Sequence, residues 1–122
     1  MADLTFTPDF RLYHIGVNAA DEAEAMAAAN LLAAIFDFTV RDTDISVYGG
    51  EYVEIMKGCG RGSRGHIAFS TANMDGAISW LRAKGVAFHE ETAKRNAEGN
   101  YGAVYIQSEI CGFTIHLVER HE

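Results

Sequence analysis

One plan is used twice along this chain, and that repeat limits its fold more than any other feature. "HIGV" at 14–17 corresponds to "HIAF" at 66–69, and "VEIMK" at 53–57 falls where "IHLVE" falls at 115–119. From His14 to Phe38 is 24 positions, and from His66 to Phe88 is 22. Each half reads strand, helix, three strands. In a repeat of this kind each copy is one supersecondary unit that buries its apolar face only with its neighbour's help.

In the first half, "RLYHIGVN" (11–18) alternates as a strand and "ADEAEAMAAANLLAAIF" (20–36) is rich in strong helix formers. Asp21 is the expected N-cap, with Glu24 as its capping-box partner. Short strands are predicted over 38–42, 45–49 and 51–57, with Gly49-Gly50 as a hairpin signal. In the second half, a strand is predicted over 64–71 and a helix over 72–84, with Asn73 near its start and Gly85 as C-cap. Strands over 86–91, 102–108 and 113–119 follow, and the polar run "TAKRNAEGN" (92–100) is expected to be a mobile loop. Between the halves lies "GCGRGSRG" (58–65), a connector with four glycines. It lacks the GxxxxGK[ST] order of a phosphate-cradling loop, so a flexible linker is expected there. The fold class is therefore α+β: two βαβββ modules, about 11–57 and about 64–120, form one domain over 1–122. Paired about a pseudo-two-fold axis, they make a curved mixed sheet, a cup with helices on the outside.

Composition narrows the function. A formal charge of -7 argues against nucleic-acid binding, which needs a basic surface to neutralise phosphates. "MADLTFTPDF" has neither the basic nor the apolar region of a signal peptide, and no apolar run reaches the length of a membrane span. Cys59 and Cys111 form no CxxC pair. Two scattered cysteines suit reduced thiols, so a cytoplasmic location and no membrane association are expected.

Strand alternation then places four ionisable residues. Tyr13, Ile15 and Val17 share one face, and His14 points to the other. Val53 and Ile55 oppose Glu54, which lies with Tyr52 and Met56. Ile67 and Phe69 oppose His66, which lies with Arg64 and Ala68, and Phe113, Ile115 and Leu117 oppose His116. Taken singly, each of these four is a satisfied core or surface residue. All four, however, fall at the same two points of the repeated unit. Facing one cup, three imidazoles and a carboxylate suit a divalent ion such as zinc, nickel, manganese, iron or cobalt.

The doubled strand-helix-three-strands order, with His14, Glu54, His66 and His116 on first and last strands, resembles the vicinal oxygen chelate superfamily over about Leu12 to Glu119. Glyoxalase I, methylmalonyl-CoA epimerase, fosfomycin-resistance proteins and extradiol dioxygenases belong to it. "GHIAFS" (65–70), "YVEIMK" (52–57) and "GFTIHLVE" (112–119) carry the likeness, and 89–120 is similar to the glyoxalase-like domain joined to 2-keto-3-deoxy-6-phosphogluconate aldolases. Two departures stand out. His116 replaces a customary glutamate, and Ser108-Glu109-Ile110-Cys111-Gly112 replaces the usual D-P-D-G turn. In glyoxalase I and the epimerase, carboxylates at the metal transfer protons; here only Glu54 remains of that pair, which counts against glyoxalase I chemistry.

The resemblance implies an isomerase, epimerase or lyase whose small α-oxygenated carbonyl or sugar-acid substrate chelates the metal. Glu54 is then the base, or a fixed ligand with a bound water as base. Arg64 is a candidate for binding a substrate carboxylate or phosphate, with a solvated residue as the alternative. Tyr52 and Met56 are expected as cup wall. The resemblance also implies a homodimer and an association with a sugar-acid aldolase. Three other readings compete. A binding module of the bleomycin-resistance kind generally lacks the ligands. A dioxygenase needs open metal positions that His116 would crowd. An aldolase-accessory domain would bind without turnover.

Overall fold

The computed structural model describes residues 6–121. The first five residues of the N-terminal stretch considered above lie outside the described residues. The elements run β1 (Arg11–Asn18), α1 (Glu22–Phe36), β2 (Val40–Asp42), β3 (Ser46–Gly49), β4 (Val53–Met56), β5 (Gly65–Thr71), α2 (Met74–Ala83), β6 (Phe88–Arg95), β7 (Tyr101–Ile110) and β8 (Phe113–Glu119). The expected α+β class holds. All eight strands form one open mixed sheet in the order β2-β3-β4-β1-β5-β8-β7-β6.

The sheet has the symmetry of the sequence repeat. In each module the first strand pairs parallel with the last, β1 with β4 and β5 with β8, and a helix makes the crossover that a parallel pair requires. The modules meet where β1 and β5 run antiparallel. There Ile15 is paired with Ile67, its own counterpart in the repeat, so the pseudo-two-fold axis passes through that pair.

Each helix covers its own module. Ala25 and Ala29 of α1 are fully buried against Val47 and Ile55, while Ala77 and Ile78 of α2 pack with Val104 and Leu117. Small side chains bring α1 close to the sheet, and a Cβ on Gly49 would lie 2.9 Å from Leu32. Asp21 caps α1 by accepting from the Glu24 amide at 2.8 Å, and Glu24 Oε1 reaches back to the Ala20 amide at 2.9 Å. Asn73 caps α2 in the same way, accepting from the Gly76 amide at 2.9 Å. Gly85 follows α2 with φ 90, the left-handed conformation a helix end favours. Among the described residues, no helix is long and apolar enough to cross a membrane.

Two stretches expected to be mobile are ordered by hydrogen bonds. The run over 92–100 is not a loop throughout: β6 continues to Arg95, and only the turn after it is irregular. Asn96 Oδ1 accepts from the Glu98 and Asn100 amides at 3.1 and 3.0 Å, and Arg95 stacks on the Tyr101 ring at 3.8 Å. The polar composition that suggested a loop is that of a solvated edge strand. The connector is pinned by Asn18, whose side-chain amide donates to the carbonyls of Arg61 at 3.3 Å and Gly62 at 2.8 Å. Its carbonyls are thus turned toward Asn18, and no phosphate-cradling ring of amides is formed.

Candidate metal centre

Two rows of paired residues cross the sheet on the face away from the helices. One runs Arg41, Tyr48, Glu54, Gly16, His66, Thr114 over β2-β3-β4-β1-β5-β8. Its symmetry mate runs His89, Tyr105, His116, Ala68, His14 over β6-β7-β8-β5-β1. Glu54 and His116 therefore hold equivalent places, as do His66 and His14. In each row one small residue, Gly16 or Ala68, separates the two ionisable ones, so their side chains can lean together over it.

His14, His66 and Glu54 converge, and His116 joins the other two imidazoles. His14 Nε2 and His66 Nε2 are 2.9 Å apart, and Glu54 Oε1 lies 3.3 Å from the first and 3.2 Å from the second. His14, His66 and His116 each offer a nitrogen, and these three atoms lie within 4.8 Å of one another. His14, Glu54 and His66 are buried, and His116 is half-buried. Ser46 donates to Glu54 Oε2 at 2.7 Å, so the carboxylate turns its other oxygen to the imidazoles.

Burial dominates the titration behaviour of this cluster. It lowers the pKa of His14, opposed by the Glu54 carboxylate. It lowers His116 to about 4, with further lowering from the neighbouring imidazoles. Burial alone would raise Glu54, but hydrogen bonds from His66 and Ser46 and the charges of both histidines outweigh it and bring Glu54 to about 2. The neutral imidazole that burial favours at His14 and His116, and the ionised carboxylate at Glu54, are the protonation states that bind metal.

The donor set fits a divalent ion. Two Nε2 atoms and a carboxylate oxygen stand mutually within 3.3 Å, an arrangement of lone pairs that needs shared protons or a cation between them. His66 Nδ1 and His116 Nδ1 are also buried without a hydrogen-bond partner. Three imidazoles with a carboxylate suit zinc, nickel, manganese, iron or cobalt alike, so the donor set does not select among them.

The other sequence candidates are placed differently. Arg64 is exposed and packs against Gly112, with its amide donating to the Gly112 carbonyl at 2.9 Å. Met56 is buried, and a Cβ on Gly60 would meet its Cγ at 2.8 Å, so it packs under the connector. Tyr52 is 58% exposed just ahead of β4, at the edge of a cavity that reaches His14.

Tyr105, Arg61 and Tyr48 also stand at the site, beyond the residues expected from the sequence. Tyr105 stacks on His116 at 4.1 Å with the rings 7° from parallel, and Arg61 of the connector lies over the Tyr105 ring at 5.1 Å. Tyr48, the symmetry mate of Tyr105, is paired with Glu54 across β3 and β4, and burial together with that carboxylate pushes its hydroxyl up to about 12. The signal was present as "VY", repeated at 47–48 and 104–105.

Gly16 carries a prediction of its own. A Cβ there would lie 2.0 Å from Cε1 and 2.2 Å from Nδ1 of the His66 ring. Gly16→Ala should therefore push His66 out of the cluster, costing about 1–3 kcal/mol of stability through overpacking and most of the bound metal. Metal content and urea unfolding check this, and unchanged metal content would show that the His66 position is not needed.

No protein-family model matches this sequence, and no curated protein matches it significantly. Solved structures do. A variant of Streptomyces coelicolor methylmalonyl-CoA epimerase, in complex with 2-nitronate-propionyl-CoA, superposes with TM-score 0.65 at 22% identity, covering 92% of this chain and 98% of that one. The Mycobacterium tuberculosis methylmalonyl-CoA epimerase gives 0.62 at 19% identity, covering 91% and 88%. A hypothetical protein from Bacillus halodurans C-125 gives 0.66 at 14% identity, covering 93% and 96%. At these identities the likeness establishes the fold alone, the one these epimerases have.

Proposed function

We propose that this chain is a metal-dependent epimerase or isomerase acting on a small α-oxygenated carbonyl compound. The observation that carries this is the convergence of His14 Nε2, His66 Nε2 and Glu54 Oε1 within 3.3 Å, with His116 completing a cluster of three imidazoles. The structural neighbours named as epimerases support proton transfer as the reaction class.

A divalent ion held by the three histidines and Glu54 would polarise a substrate carbonyl and ease loss of the adjacent carbon-bound proton. Glu54 is the carboxylate of this cluster, and its role is to take that proton; it can return the proton to the neighbouring atom in an isomerisation, whereas an epimerisation needs return on the opposite face. Ser46 holds the Glu54 carboxylate in position. Tyr105 fixes the plane of His116 by stacking. With His116 in place of a second carboxylate, proton return on the opposite face depends on solvent reached through the cavity beside His14. A homodimer is part of the same proposal, supported by apolar surface at Leu31, Ile35 and Phe36, each more than half exposed. Association with a sugar-acid aldolase is supported by the resemblance over 89–120.

The test is deuterium exchange from D2O into keto-deoxy sugar acids and methylglyoxal–thiol adducts, with and without chelator. Chelator-sensitive exchange is expected, reduced about 100-fold or more in Glu54→Gln, which keeps an oxygen facing the cluster. Ligand binding without any exchange would instead identify a non-catalytic binding module, and exchange indifferent to chelator would remove the metal from the reaction.

A further inference from the structure

Beside the imidazole cluster lies a second concentration of charge that the proton transfer does not use. Arg11, Arg41 and Arg120 line one cavity of about 330 Å³, together with His14, Tyr48 and Glu51. In a chain of formal charge -7, three guanidinium groups around one cavity run against the overall sign. Arg11 and Arg120 both pair with Asp9, and Arg120 also donates to the Ser70 carbonyl at 3.2 Å. Arg41 stands differently. Its guanidinium lies over the Tyr48 ring at 4.1 Å, and among the described residues no carboxylate pairs with it. Set against Asp9 and Glu51, the three arginines leave one positive charge in excess.

We propose that this cavity is an anion subsite: the substrate carries a second anionic group, carboxylate or phosphate, that Arg41 binds while the other end sits at the imidazole cluster. The inference rests on the metal-site reading above and names its substrate class. His14 forms the wall common to both places, so a ligand reaching the imidazoles extends directly toward Arg41. Stacking on Tyr48 holds the guanidinium plane, and its N–H edge matches the flat edge of a carboxylate or two oxygens of a phosphate.

The test uses 2-oxo acids that share one chelating head. 2-Oxobutyrate has no second anion, 2-oxoglutarate has a distal carboxylate, and 3-phosphonopyruvate has a phosphonate. Calorimetry on the metal-loaded chain should give about tenfold or tighter binding for the dianions, and the better of the two identifies which anion the subsite takes. In Arg41→Gln that preference should fall to about one, while Arg41→Lys should retain part of it. A purely structural defect would weaken all three probes alike and leave the ratio. A wild-type ratio of one, or a ratio untouched by Arg41→Gln, overturns the inference.

Metal-free protein separates the two readings. Titration with succinate should shift the Arg41 side-chain N–H resonances. A shift in a chain that takes up no metal keeps the anion subsite and removes the metal site. Metal uptake with neither shift nor preference does the reverse.

Discussion

His66→Ala protein is expected to lose divalent metal affinity by on the order of 100-fold. The total binding free energy of a four-ligand site is about 10–16 kcal/mol, so one ligand of four accounts for roughly 3 kcal/mol. His66 is placed for a loss of that size. It is 3% exposed, its Nε2 meets both His14 Nε2 and Glu54 Oε1, and Gly16 leaves room for its ring. His14→Ala and His116→Ala should act in the same direction, and the size of the His116 effect measures whether that residue binds the ion or only flanks it. Metal content after dialysis against a weak chelator, with circular dichroism to verify the fold, gives the answer. Full occupancy in His14→Ala or His116→Ala would end the four-ligand assignment. The metal-free protein should tolerate these changes well, because each removes one group from a crowded set of lone pairs. Loss of metal is thus separable from loss of structure.

The second large effect is a steep acid sensitivity of the metal-free protein. His116 has a folded pKa near 4 against an ordinary 6.5, because burial disfavours its charged form. Between those values the unfolded chain binds a proton that the folded chain refuses, so stability falls as pH drops from 6.5 to about 4. Glu54 is held near 2 against an ordinary 4.5. Its contribution is present above 4.5 and is lost as pH falls toward 2. Both groups act with the same sign in adjoining windows, each with a ceiling on the order of 3 kcal/mol. His14, also lowered by burial, adds to the upper window. Urea unfolding in the presence of a chelator, followed from pH 7.5 to 3, should show continuous loss across the range. His116→Gln should flatten the part above pH 4 and leave the lower part. A wild-type profile that is level between pH 6.5 and 4 would contradict the buried, neutral state of His116.

The repeat made much of this legible in advance. Strand alternation put His14, Glu54, His66 and His116 on one side of the sheet, and the match of "VEIMK" with "IHLVE" put His116 in the place of Glu54. The structure has both residues in that relation, Glu54 opposite Gly16 and His116 opposite Ala68. Polarity misled the reading of 92–100, because an edge strand with one solvated face has the composition of a loop. Arg64 was a candidate on parity, with a solvated residue as the alternative; it lies exposed at the end of the connector against Gly112, while Arg61 reaches the Tyr105 ring.

Period-two alternation and an internal repeat are local properties written along the chain, and they sufficed for the modules, their symmetry and the face each ionisable residue takes. Which atoms meet is a non-local property. It depends on the register of β1 against β5, set by Ile15 opposite Ile67, and no short stretch of sequence carries that register. Only once it is fixed do His14 and His66 bring their Nε2 atoms to 2.9 Å. Gly16 then becomes the floor beneath an imidazole, and Arg41 lines the cavity whose wall is a candidate metal ligand.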